Sequence, residues 1–164
     1  MPNNYLASYL NDHLAGSTTA LELLENLAAT YPNTDTAQLA RAIKEEVAQD
    51  RDQLESIMEK LHISKTLTRR TSAWLTEKFT QLKLRVDDPA TGALRLLEST
   101  EAISVGVEGK RLLWLALSTA SETHPELRGP DYANLIQRAQ SQRDRLEAAR
   151  LQAATTALNA DTKS

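Results

Sequence analysis

The chain has 164 residues, a formal net charge of −3 and no cysteine. Its 26 Leu and 23 Ala stand against 4 Val and 5 Ile, and aromatic residues make up only 4 %, so strands lack the residues they favour and a β-sandwich, a barrel or a parallel-sheet enzyme is excluded. Missing cysteine removes disulfides, thiolate nucleophiles and Cys-based zinc or iron–sulfur sites, and the acidic balance argues against a general nucleic-acid binder.

The N-terminal Met1-Pro2-Asn3-Asn4-Tyr5 carries no basic region or apolar run, so a soluble, cytoplasmic protein is expected. The most apolar stretch, residues 112–117, is too short to cross a bilayer.

Prolines at 2, 32, 89, 125 and 130 divide the chain into intervals, each with helical periodicity. The first helix is predicted over residues 4–30, with a stripe of Leu6, Leu10, His13, Leu14, Ser17, Leu21, Leu24 and Ala28. The second is predicted over 35–61, opened by Asp35 and Gln38 as a capping box. Its stripe is Leu39, Ile43, Glu46/Val47, Asp50, Leu54, Ile57 and Leu61. Ser64 suits the N-cap of a shorter helix over 64–84. Asp88 before Pro89 suits the start of a helix over 89–122. The stripe of that helix is read as Leu94, Leu97, Glu101, Val105, Glu108, Leu112, Leu115 and Thr119. The last helix is predicted over 131–158, with Tyr132, Leu135/Ile136, Ala139, Gln142/Arg143, Leu146, Ala149/Arg150 and Ala153 inward. Residues 159–164 form a frayed tail.

Four long amphipathic helices predict an all-α, single-domain bundle. Short loops make the first and last pairs antiparallel. The long connection between the pairs crosses the bundle end to end and carries the extra helix, which makes the second and third long helices parallel. That up-down pattern with one long crossover resembles the ferritin-like four-helix bundle. Residues 9–16 (Tyr9-Leu10-Asn11-Asp12-His13-Leu14-Ala15-Gly16) and 105–111 (Val105-Gly106-Val107-Glu108-Gly109-Lys110-Arg111) resemble an uncharacterised bacterial group of such bundles. The resemblance implies a two-metal site built from one Glu on each of two helices and Glu-x-x-His on the other two. Here the one Glu-x-x-His, Glu59 to His62, falls at the end of its helix, and the last helix has no histidine. The resemblance therefore carries fold further than function.

The informative residues are polar ones on apolar stripes: His13, Ser17, Glu46, Asp50, Glu101, Glu108, Gln142 and Arg143. Buried carboxylates must be paired, metal-bound, hydrated or not truly buried. One reading is a metal site. Glu46 and Asp50 lie one helical turn apart, with Glu108 and His13 as ligands from facing helices, which would take iron, manganese or zinc. The favoured reading is an ion-pair network in which Arg143 neutralises the carboxylates, or a stripe misphased by one residue. Gly106 and Gly109 each cost about 1 kcal/mol in a helix interior relative to Ala, and close packing of a neighbouring helix is the expected reason.

Residues 65–85 carry Lys65, Arg69, Arg70, Lys78, Lys83 and Arg85 against Glu77 alone, beside Leu67, Trp74, Leu75, Phe79 and Leu82. Such a basic amphipathic helix suits a membrane surface or an acidic partner. Packing across the bundle with solvated basic edges is the favoured alternative.

No catalytic constellation stands out. His13, His62 and His124 lie in different regions. The leading expectation is a non-catalytic binding or interaction bundle without the standard di-metal centre and with no cofactor. The alternative is a nonstandard divalent-metal protein, and the third is a peripheral membrane or acidic-partner binder. The expected assembly is a monomer or a homodimer, with dimerisation inferred from the fold alone.

Overall fold

A computed structural model describes residues 4–66 and 92–159, with Glu77 and Thr80 between them. Four long helices account for most of these residues: α1 (Asn4–Thr30), α2 (Asp35–Lys60), α3 (Gly92–Ala120) and α4 (Tyr132–Leu158). A single 3₁₀ turn, Pro125–Leu127, precedes α4. No strand occurs among the described residues.

Local chemistry sets the helix ends. Asn33 adopts φ 61°, a left-handed turn that Asn tolerates better than most residues, and Thr34 then caps α2. The Thr34 Oγ1 accepts the Ala37 N–H at 3.2 Å. The cap thus sits one residue before the Asp35–Gln38 box expected, and Asp35 falls in the first turn, where a carboxylate complements the helix dipole. At the other end His62 has φ 55°. Its N–H donates to Glu59 O at 3.0 Å, and Ile63 N–H donates to Met58 O at 2.9 Å. These are the two bonds of a Schellman stop, and the core contact that usually accompanies it joins Ile63 and Met58. Asp131, the predicted first residue of the last helix, is its N-cap, accepting from Asn134 N–H at 3.0 Å.

Two apolar clusters fill the interior and fix the topology. One joins Leu24 and Leu27 of α1, Ala40 and Ile43 of α2, Ile103 of α3 and Leu146 of α4. The other joins Leu10 and Leu14, Leu54 and Ile57, Trp114 and Leu117, and Tyr132 and Leu135. The start of α1 therefore shares a layer with the end of α2, the end of α3 and the start of α4. Hence α1 and α2 are antiparallel, α3 and α4 are antiparallel, and α2 runs the same way as α3. The end of α2 and the start of α3 therefore lie at opposite ends of the bundle, roughly 40 Å apart for helices of this length. The helices stand in the ring order α1, α2, α4, α3. This is the all-α bundle with one long crossover that the helix lengths predict.

Both ends of the crossover are tied to α1. Asn11, buried, donates to Ser64 O at 3.2 Å and accepts the Thr66 N–H at 2.7 Å. Tyr31 Oη donates to Gly92 O at 2.6 Å. The helix expected over 64–84 does not begin at Ser64, since residues 63–66 are non-helical; Glu77 and Thr80 are helical, and the rest of it, the Pro89 helix start and the tail after Asn159 lie outside the described residues. No helix among the described residues is long and apolar enough to cross a membrane.

The inward faces of α2 and α4 follow the expected stripes closely. That of α3 does not. Thr100, Ile103, Val107, Trp114 and Leu117 are buried, whereas Glu101, Val105, Leu112, Leu115 and Thr119 are exposed. Helix α3 carries apolar residues around most of its circumference, so several faces compete for the core and periodicity does not choose among them.

Candidate functional site

The middle of the bundle holds a polar network on α2, α3 and α4. Asp50 is 1 % exposed and Gln142 fully buried. Asp50 Oδ2 accepts from Lys110 Nζ at 2.5 Å, and its other oxygen pairs with Arg138. Lys110 also donates to Gln142 Oε1 at 2.5 Å. The Gln142 amide donates to Glu46 Oε2 at 2.9 Å, and Arg145 donates to the same oxygen at 2.6 Å. Each side chain has a partner within the network, as buried polar groups require, although Arg138 Nε is buried with no hydrogen-bond partner among the described residues. Burial pushes the Lys110 ammonium below its usual range, with Asp50 opposing that shift. For Glu46, burial works upward, but hydrogen bonds from Arg145 and Gln142 outweigh it and hold the carboxyl below its usual range.

The predicted polar residues separate into four groups. Glu46, Asp50 and Gln142 meet in this network. Glu108 and Arg143 lie outside it. Arg111 grips Glu108 at 2.9 and 3.0 Å, and Arg143 approaches it at 3.2 Å. Arg143 thus neutralises Glu108 alone, while Lys110, Arg138 and Arg145 serve Asp50 and Glu46. Glu101 is exposed and meets Arg150 at 3.3 Å. On α1, Ser17 donates to Leu14 O at 2.6 Å, and His13 stands edge-on to Tyr9 with ring centroids 4.7 Å apart. Burial lowers the His13 pKa, with Asp12 pulling weakly the other way. Lys110 is the residue that the α3 stripe missed. The spacing Ile103, Val107, Lys110, Trp114, Leu117 places it on the core face.

Beside the network lies a cavity of about 460 Å³ between α1, α2 and α3. Gly16 and Ala20 of α1 line one side, and Val105, Gly106 and Gly109 of α3 the other. Val47 and Leu54 of α2 close it, with Asp50 and Lys110 also lining it. A Cβ added at Gly16, Gly106 or Gly109 would meet nothing within 4 Å. The glycines of α3 therefore do not admit the close-packed helix that the sequence predicts; they leave space. His13 and Ser17, placed by sequence in the polar layer, line this cavity instead. So does Trp114, which is 1 % exposed and whose indole Nε1 has no hydrogen-bond partner among the described residues.

The donor set does not fit the two-metal centre that a ferritin-like resemblance implies. Each oxygen of Asp50 faces a cation, Glu46 is held by Arg145 and Gln142, and Glu108 by Arg111 and Arg143. Glu59 and His62 sit exposed at the end of the bundle. Among the described residues, no three of His, Asp or Glu gather as a metal-ion site. Of the basic residues proposed for a partner or membrane surface, Lys65 pairs with Glu55 at 2.7 Å and Glu59 at 3.2 Å. The others, Arg69, Arg70, Lys78, Lys83 and Arg85, lie outside the described residues.

No protein-family model and no curated protein matches the sequence. Among solved structures, the chain is similar to the crystal structure of the E. coli stress protein YciF, at 14 % identity and a TM-score of 0.59, with each chain covered in full. At that identity the likeness is one of fold: an all-helical bundle of matching length.

Proposed function

We propose that this chain is a non-catalytic binding bundle whose site is the groove between α1 and α3. The observation that carries the reading is the cavity that Gly16, Gly106 and Gly109 leave open beside a polar network whose charges pair with one another. A volume of about 460 Å³ falls within the ordinary range of small-molecule pockets. Three glycines inside helices cost stability, and here that cost has no packing return. The charged groups of the interior are engaged with one another, which favours binding over acid–base work. The ferritin-like resemblance belongs with this reading at the level of fold, supported by the parallel course of α2 and α3.

The test is a fluorescence titration with Nile red, a neutral apolar dye, against the wild type and Gly109→Leu. A Cβ at Gly109 meets no atom within 4 Å, and the rest of the leucine is expected to occupy the groove that Gly109 lines. Saturable enhancement in the wild type, lost in a variant that melts no lower, is the expected result. A dye that fails to bind, or that binds both proteins alike, removes the proposal.

A further inference from the structure

The charge lining the groove narrows its ligand, an inference that rests on the binding reading above. Four lining residues are formally charged: Asp12, Asp50, Arg51 and Lys110. Three of them are engaged inside the protein. Asp50 and Lys110 pair with each other, Arg138 holds the second Asp50 oxygen, and Arg51 pairs with Glu55 at 3.1 Å. Asp12 is exposed and has no cationic partner among the described residues. His13, next in the chain, does not supply one: burial lowers its pKa, so the ring is neutral at neutral pH. The charge left for an entering molecule to meet is a single carboxylate at the rim.

The place of Asp12 on α1 sets the distance. Asp12, Gly16 and Ala20 follow one another at steps of four, so they stack on one face of the helix, and all three line the groove. Gly16 offers no side chain, and a Cβ there would meet nothing within 4 Å. A ring lying over Gly16 has open space before it and the Asp12 carboxylate one turn away, roughly 6 Å along the axis. Gly106 and Gly109 leave the opposite wall as bare. The arrangement is an apolar slot with an acid at one end.

We propose that the groove binds an apolar monocation of the arylalkylamine class, its ring over Gly16 and its ammonium, on a short tether, held by Asp12. The experiment displaces Nile red from the full chain with three naphthalenes that differ only at the end of the tether: 2-(2-naphthyl)ethylamine, 2-(2-naphthyl)ethanol and 3-(2-naphthyl)propanoate. At low salt the amine is expected to bind about twofold to fivefold more tightly than the alcohol, the size of one partly exposed ion pair, and the carboxylate more weakly than either. High salt should shrink the gap. Asp12→Asn, a change at an exposed position, should keep Nile red binding and lose the amine's advantage, and Asp12→Lys should pass that advantage to the carboxylate. Amine and alcohol binding alike in the wild type, or an advantage that survives Asp12→Asn, overturns the inference, while displaced Nile red leaves the binding reading standing. Arg69 and Arg70 follow Thr66 closely in the chain and lie outside the described residues. An amine advantage seen only in Arg69→Gln/Arg70→Gln would assign Asp12 to the chain's own cations and overturn the inference equally. If Nile red itself does not bind, both fall.

Discussion

Replacing Asp50 by leucine tests the buried network at its centre. The substitution removes the carboxylate that faces both Lys110 and Arg138. Lys110, whose side chain is 13 % exposed, is left with Gln142 as its only hydrogen-bonded partner among the described residues. Removing one partner of a buried ion pair costs about 3–5 kcal/mol, because the remaining charge stays desolvated. For a chain of this length that corresponds to a fall in Tm on the order of 10 °C. Lys110→Met alone should cost less, since Asp50 keeps Arg138. The double variant Asp50→Leu/Lys110→Met removes both buried charges, and Arg138 retains its hydrogen bond to Gln49 at 3.2 Å. Its stability should therefore lie well above what the two single losses would sum to, though below wild type because Arg138 has lost Asp50. Urea unfolding followed by circular dichroism at pH 7 on all four proteins gives the coupling directly. The predicted coupling is about 2–3 kcal/mol, at the upper end for contacting residues. Additive effects, with the double variant the least stable of the four, would refute the network.

Three further outcomes follow from local geometry. Gly106→Ala and Gly109→Ala should each raise stability by about 0.5–1 kcal/mol, since the added methyl meets nothing within 4 Å; thermal melts check this, and a loss at either site would mean the groove is closed. His62→Gly should stabilise by about 1 kcal/mol, because φ 55° strains any residue with a Cβ; an unchanged Tm would count against the Schellman stop. Burial lowers the His13 pKa, so the unfolded chain binds this proton more readily and stability should fall as pH drops below about 6.5. His13→Leu should flatten unfolding free energy between pH 7 and 5, leaving the later loss as the depressed carboxyls of Glu46 and Glu108 protonate; an unaltered slope would contradict the burial of that ring.

Helix lengths, loop positions and the parallel course of α2 and α3 are legible in the sequence because prolines and caps mark the ends, and the amphipathic faces of α2 and α4 are distinct. Asp50 and Gln142 stand out as polar residues on those faces. Lys110 does not, because α3 is apolar on several sides and the stripe through Glu101 and Leu112 competes with the one through Val107 and Trp114. A shift of face on α3 sends Glu108 to the rim and brings Lys110 inside. Arg138 and Arg145 flank Gln142 at helical spacing, yet nothing in the pattern shows that they curl inward to reach Asp50 and Glu46. The groove is hidden for a different reason. A glycine in a helix marks small volume, and only the distance between helices decides whether a neighbour fills that volume.

The central claim is that the space beside Gly16, Gly106 and Gly109 receives a ligand. Mapping Nile red on the ¹⁵N-labelled chain by ¹H–¹⁵N NMR tests it most directly, because glycine amides are readily resolved. The amides of Gly16, Gly106 and Gly109 should shift together in a saturable way, while Gly129, in the loop before α4, stays fixed. Shifts confined to Gly129 and the helix ends, with the three groove glycines unmoved, would contradict it.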